Sequence, residues 1–295
     1  MFHFCTTYIK LLLLLAACLL NSGCRDLVSS EFGQYEKTPV INGIIKAGGD
    51  ISIHLSYVAK VNSADIEVIE NAQVGLFIDG VFTENLLYAG NGLYESSILA
   101  EEEKNYRFEI IIPGYDIISV ENHVPKSEQI INVTHIEKAG VDSEGTTYPG
   151  LKIYFTNNPA EVSFYEVVIK LFVYDDEIEY ADLEKIVDPV LLNEGLPIAV
   201  FSNAKIAKET YELTLNYTTG RAGSSGTTLF PLTVELRTIS EDYYKFAKQY
   251  YLYELGRYPD GLGSGNGSFQ LYSNVNNAYG IVAAYSSVVT ETIYP

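Results

Sequence analysis

Residues 73–88 read QVGLFIDGVFTENLLY, and this stretch decides the fold. Two strand-like runs, Gln73 to Ile78 and Val81 to Tyr88, flank Asp79-Gly80. The two-residue turn that matches strand twist needs positive φ at its centre, which Asp-Gly tolerates, so the pair between two such runs signals a β-hairpin. The pattern extends both ways. Upstream, Val40 to Ile45 reads as a strand before the turn Ala47-Gly48-Gly49-Asp50, and Ile51, Ile53 and Leu55 then alternate with Ser52, His54 and Ser56. Period-two alternation places one face on a core and the other toward water. Downstream, Gly90-Asn91-Gly92 turns into Leu93–Glu95, and Asn105 to Ile112 (NYRFEIII) sets Tyr106, Phe108 and Ile110 on one face. Pro113-Gly114-Tyr115 leads to a strand over Asp116 to Val120. Short strands with a turn every eight to twelve residues or so imply a β-sandwich.

Polar residues surround Pro125 in 122–129 (NHVPKSEQ), and proline cannot donate to a strand ladder, so this segment reads as a boundary. Beyond it the sequence predicts strands over Ile130–Ile136, Leu151–Phe155, Phe164–Tyr174, Tyr211–Tyr217, Leu229–Arg237 and Tyr279–Thr290. A turn-rich stretch is expected over 139–150, and a short helical turn near Asp182–Ile186. One helix is well specified over 240–255. Ser240 is a natural N-cap, Glu241 and Asp242 complement the positive end of the dipole, and Gly256 then Pro259 end the run. The expected fold is mainly β, with two sandwich (Ig-like or prealbumin-like) domains at 39–125 and 126–295 and one helix in the second.

The amino terminus reads differently. Lys10 precedes the apolar run Leu11–Leu20, which is too short for a bilayer core needing about 20 residues and fits the h-region of an export signal. Asn21-Ser22-Gly23-Cys24 follows. Small residues directly before a cysteine resemble a bacterial lipobox, although Asn21 stands where a large aliphatic is usual. The expectation is a signal over 1–23, lipidation of Cys24 and a polar tether over 24–38. The alternative is an ordinary secretory signal with a nearby cysteine. Cys5, Cys18 and Cys24 are the only cysteines of 295 residues, so no intramolecular disulfide can staple the body. Nineteen Lys and Arg against 38 Asp and Glu give a net charge of −19, which argues against a nucleic-acid partner.

Catalytic signatures are scarce. There is no HExxH pair, G-x-S-x-G elbow or P-loop lysine motif. Gly261, Gly263, Gly265 and Gly267 imitate a dinucleotide loop but follow a helix and open none, so they read as a plain loop. Asp175-Asp176-Glu177 carries oxygens that suit Ca²⁺. The strict spacing of an EF-hand is missing, and a solvated acidic loop weighs more. Tyr243, Tyr250, Tyr251 and Tyr272 combine an apolar ring with a polar tip and make a candidate ligand surface, while a buried aromatic stripe is the competing reading. No catalytic residue and no cofactor is expected.

Three features together resemble a Bacteroidota lipoprotein family known as a domain of unknown function, DUF4249. They are Cys24 followed after a short tether by VINGII; the order ENAQVGLFIDG, GNGLYESS, NYRFEIII and PGY within Ile69–Tyr115; and TVELRTISEDYYKFAKQY, then a Gly-rich loop, then YGIVAAYS. The family's final strand has the form G-x-x-x-A-Y-S, met here by Gly280, Ala284, Tyr285 and Ser286, with Ile281-Val282-Ala283 where an aromatic often stands. The resemblance implies an outer-membrane lipoprotein, on the periplasmic or the surface face, that works beside a TonB-dependent receptor. The leading expectation is therefore a non-enzymatic accessory or binding protein, with a membrane partner through Cys24. A surface adhesin or fibre subunit is the alternative, and a hydrolase using scattered carboxylates such as Asp175 or Asp176 ranks last.

Overall fold

The first strands among the described residues form a hairpin built as their alternation dictates, β1 (Pro39–Lys46) with β2 (Asp50–Tyr57). The computed structural model describes residues 37–59, 66–174, 177–219, 228–257 and 271–295. Next come β3 (Gln73–Ile78), β4 (Val81–Asn85), β5 (Leu87–Gly90), β6 (Leu93–Leu99), β7 (Asn105–Ile111) and β8 (Ile118–His123). The later strands are β9 (Ile130–Val141), β10 (Thr147–Thr156), β11 (Phe164–Phe172), β12 (Ile178–Tyr180), β13 (Val200–Ser202), β14 (Thr210–Asn216), β15 (Leu232–Ile239) and β16 (Tyr279–Val289). Helix α1 (Pro189–Glu194) precedes β13, and α2 (Glu241–Arg257) follows β15.

The fold is mainly β and sandwich-like, as the alternation requires. A nine-stranded sheet runs in the order β12-β11-β15-β16-β1-β2-β6-β5, with β13 beside β11. The four-stranded sheet β4-β3-β7-β8 covers one part of it, and their inward residues (Ile41, Ile53, Leu76, Phe108, Val282) form one core. The three-stranded sheet β14-β10-β9 covers another, around Phe155, Tyr165, Leu213 and Leu236. Fully burying one such aliphatic or aromatic side chain stabilises by about 1.5–3 kcal/mol relative to exposure, so two cores of this size can hold the body without a disulfide.

The first core draws on residues 41–124 and 275–284 and the second mainly on 151–236, and the large sheet runs through both. β16 lies parallel to β1, from Val40 opposite Tyr279 to Lys46 opposite Tyr285, and Val275, Val282 and Ala284 join the first core. Lys37–Pro295 accordingly form one compact unit. Gly280 permits the join. Its φ is +120°, and a Cβ there would stand 1.9 Å from the Ile41 carbonyl oxygen.

Asp79 (φ 51°) and Gly80 (φ 78°) make the expected hairpin turn. Other expectations need correction. The run Val81–Tyr88 is two strands: β4 pairs with β3, while β5 crosses to the large sheet beside β6, with Leu86 buried between them. The turn within 139–150 is confined to 142–146, where the Asp142 carboxylate accepts from the backbone N–H of Glu144 (2.9 Å) and Thr146 (2.8 Å). The helical turn near Asp182–Ile186 is displaced to α1, because the Asp188 side chain caps Val190 N (2.9 Å) and Pro189 pre-sets the first turn. Instead, Leu183 bridges to Tyr217. Among the described residues, no helix is long and apolar enough to cross a membrane.

Candidate functional site

Helix α2 starts where the sequence says it should. Ser240 Oγ accepts from Tyr243 N (3.3 Å), its carbonyl from Tyr244 N (3.0 Å), and its own N–H donates to Ala284 O (2.8 Å), which ties the helix start to β16. In the first turn, the Asp242 carboxylate accepts from Tyr272 OH (2.6 Å), Asn274 Nδ2 (2.9 Å) and Asn122 Nδ2 (3.2 Å). The helix packs on β16, β13 and β11. It meets the odd-numbered residues Ile281 and Ala283, on the face opposite the first core. None of residues 241–256 is fully buried, so α2 is not the core helix that an aromatic stripe usually marks.

Tyr243 points into a charged cluster on that face. Its hydroxyl donates to Glu166 Oε2 (2.8 Å), and Arg237 bridges Glu166 (2.8 Å) and Glu235 (3.0 Å). Lys170 adds a second cation 3.1 Å from Glu235, and the Arg237 guanidinium lies 4.8 Å from the Tyr285 ring centre. Register explains the meeting, because Glu166 stands opposite Arg237 on neighbouring strands. The Glu235 side chain is 1% exposed. Burial alone would push its carboxyl up, but the hydrogen bond and charge of Arg237 hold it at about 2. Burial raises the Tyr243 hydroxyl above its ordinary range, reinforced by the negative charge of Glu166.

A second polar tie fixes the other flank of the helix. Glu194, at the end of α1, accepts from Lys248 Nζ (2.8 Å), Tyr244 OH and Ser202 N (2.8 Å). Burial opposes ionisation of Glu194, yet these donors hold its carboxyl below the usual range. The Tyr244 ring rests on Phe164 with centroids 4.6 Å apart.

Between helix and sheet lies an apolar groove of about 390 Å³. The sheet supplies Ile44, Ile281 and Ala283; the helix supplies Phe246, Ala247 and Tyr250. Tyr243 and Glu166 stand at its wall, and Tyr251 and Glu254 also line it. Phe246 and Tyr250 stack (5.8 Å, 19°), and Tyr253 continues the ladder 6.4 Å from Tyr250. Tyr250 remains 45% exposed. A wider cleft of about 970 Å³ opens around the 122–128 connection, with Glu103, Glu121, Glu128 and Glu161 on its walls. The groove better matches small-molecule sites, which are mostly apolar with a few convergent polar groups.

Of the four candidate tyrosines, the structure brings Tyr243, Tyr250 and Tyr251 together in the groove. Tyr272 is not with them, because its hydroxyl is committed to Asp242 at the helix start. Glu177 is exposed, and Asp175 and Asp176 lie outside the described residues, as do Cys24 and the glycines 261–267. Among the described residues no group of three or more His, Cys, Asp or Glu side chains could hold a metal ion. Sequence reasoning missed Phe246, Glu166 and Arg237. Phe246 was within reach of helical spacing, four residues before Tyr250; the other two required the strand register.

A family model described as "Domain of unknown function (DUF4249)" matches residues 25–291. No curated protein matches the chain. Among solved structures, a DUF4785 family protein from Legionella pneumophila aligns at 12% identity with a TM-score of 0.26, over 70% of this chain and 54% of that one. This chain thus spans about half the length of that protein.

Proposed function

We propose that this chain, which belongs to the DUF4249 family, is a lipid-anchored accessory binding protein of the Bacteroidota outer membrane, non-enzymatic and working beside a TonB-dependent receptor in nutrient uptake. The groove under α2 carries the binding part of this reading. It offers a preformed apolar surface with aromatic walls, and Glu166 at its wall is engaged by Arg237 and by the Tyr243 hydroxyl, the same Arg237 also pairing with Glu235. A carboxylate committed in this way is a poor base or nucleophile and a good structural support. The anchor rests on the apolar run and Cys24, and the receptor partnership on the family resemblance.

Affinity capture of the acylated chain from detergent extracts tests the partnership. A TonB-dependent receptor should be recovered with it; repeated captures that bring down no outer-membrane receptor reject it. The fibre-subunit reading draws on β9, a twelve-residue strand at the edge of its sheet whose outer side has no strand neighbour among the described residues. Sedimentation at increasing concentration separates the two, since a strand-donating subunit self-associates.

A further inference from the structure

Resting on the binding role just proposed, we infer that the groove under α2 takes an uncharged, ring-bearing apolar small molecule and discriminates against anions. Size comes first. At the packing density of protein interiors, about 390 Å³ accommodates a ligand of about twenty non-hydrogen atoms. Shape follows from the walls. Ile44, Ile281 and Ala283 form a floor of hydrocarbon, and the stacked rings of Phe246 and Tyr250 form the opposite side. Aromatic faces favour an offset or edge-on ring partner over a flexible chain that loses rotamer freedom on binding.

Charge decides the class. The two ionisable groups lining the groove besides tyrosine are carboxylates, Glu166 and Glu254, on a chain of net charge −19. An anionic ligand would be desolvated beside them with no free cation among the described lining residues to receive it, because the nearby guanidinium of Arg237 is held by Glu166 and Glu235. A cation fares little better. Glu166 already binds a guanidinium and a hydroxyl, and Glu254 has an interaction partner of its own. The cluster of Glu166, Glu235, Arg237 and Lys170 is neutral in sum and matches a neutral ligand.

The test uses two probes with one skeleton, N-phenyl-1-naphthylamine and its 8-sulfonate. The protein is the unacylated chain from residue 25, which contains the whole compact unit from Lys37 onward. Fluorescence titration should show saturable binding of the neutral amine and binding of the sulfonate weaker by about tenfold or more. Ala247→Trp and, separately, Ala199→Trp fill the groove from its helix side and from the segment before β13; each should reduce amine binding by about tenfold or more. Circular dichroism establishes which variants fold, and either one suffices. Equal affinity for both probes, lost together in the filled variants, overturns the ligand class and leaves the binding role intact. Amine binding indifferent to a folded variant, or no saturable amine binding, removes the groove as the site and the class with it.

Discussion

Arg237→Met removes the guanidinium shared by Glu166 and Glu235 while keeping much of the apolar stem. Glu235 is then left almost wholly buried with the Lys170 ammonium at 3.1 Å and the Ser287 side chain. Breaking a buried pair by deleting one partner costs about 3–5 kcal/mol, mostly the stranding of the other charge. Lys170 and Ser287 still face Glu235, so the low end of that range is the expected loss near neutral pH. The sign with pH separates charge from packing. The Glu235 carboxyl sits at about 2 in the folded chain, below its ordinary value of 4.5. A depressed carboxyl contributes stability that is present above the ordinary value and lost as pH falls toward the folded one. The difference corresponds to at most about 3 kcal/mol, given up between about pH 4.5 and about pH 2. In the variant the Glu235 carboxyl rises and this slope flattens, so the penalty of the substitution should shrink at low pH. Urea unfolding followed by circular dichroism and tyrosine emission, in a chain without tryptophan, measures it at about pH 7 and about pH 3.5. A penalty below about 1 kcal/mol at neutral pH, or an equal penalty at both, would refute the claim that the charge cluster around Arg237 is a structural support beside the groove.

Gly280→Ala should destabilise by at least about 2 kcal/mol, because the positive φ and the Ile41 carbonyl leave no room for a Cβ. Gly48→Ala, also at positive φ but in open space, should lose less in the same melt. Glu194→Gln removes the carboxylate that receives Lys248 and Tyr244, and should speed amide exchange in the first half of α2. Wild type should show the same loosening as pH falls below the ordinary carboxylate range, since the Glu194 carboxyl is depressed when folded. Cys24→Ala should move the chain from the membrane to the soluble fraction, and continued sedimentation with membranes would reject the anchor.

Local chemistry was legible and long-range pairing was not. Asp79-Gly80 fixed a hairpin because turn type depends on two residues. Ser240, Glu241 and Asp242 fixed the start of a helix because caps and dipole act within one turn, but Gly256 does not end it: the helix runs to Arg257, and Gly256 is not in the left-handed region. The crossing between β4 and β5 escaped because no glycine or proline interrupts Val81–Tyr88; the polar run Thr83-Glu84-Asn85 and the burial of Leu86 mark where the chain changes sheets. Gly140, Pro149 and Gly150 read as a turn, yet they sit in β9 and β10 beside a register shift between Tyr148 and Gly150, where proline is tolerated in a sheet. The parallel pairing of β1 with β16 leaves no local trace. It decides that one sheet joins both cores, and that Ile44 of the first strand shares a groove with Ala283 of the last. Tyr243, Tyr250 and Tyr251 were found by spacing on one helix, whereas Glu166 and Arg237 meet only through the register of two strands.

The unequal fastening of α2 leads to a last prediction. The ties from Ser240, Asp242, Tyr243, Tyr244 and Lys248 fall at its start and in its first half, while Tyr253 and Glu254 have interactions of their own in the second. Beyond Gln249, Tyr250, Leu252 and Leu255 are each more than 40% exposed, and the stack of Phe246, Tyr250 and Tyr253 is the main ring contact. A segment with few buried apolar contacts opens at low free energy. A ligand in the groove covers the floor below Tyr250 and binds only the closed arrangement, so its binding energy adds to the stability of that half by mass action. At a hundredfold excess of free ligand over the dissociation constant, the gain is about 2.7 kcal/mol, or about a hundredfold slower exchange. Saturating N-phenyl-1-naphthylamine should therefore slow amide exchange most over residues 250–256 and least over 241–248, where the polar ties already hold the helix. Uniform slowing along α2 would mean that the helix moves as one body and that its two halves are not separately fastened.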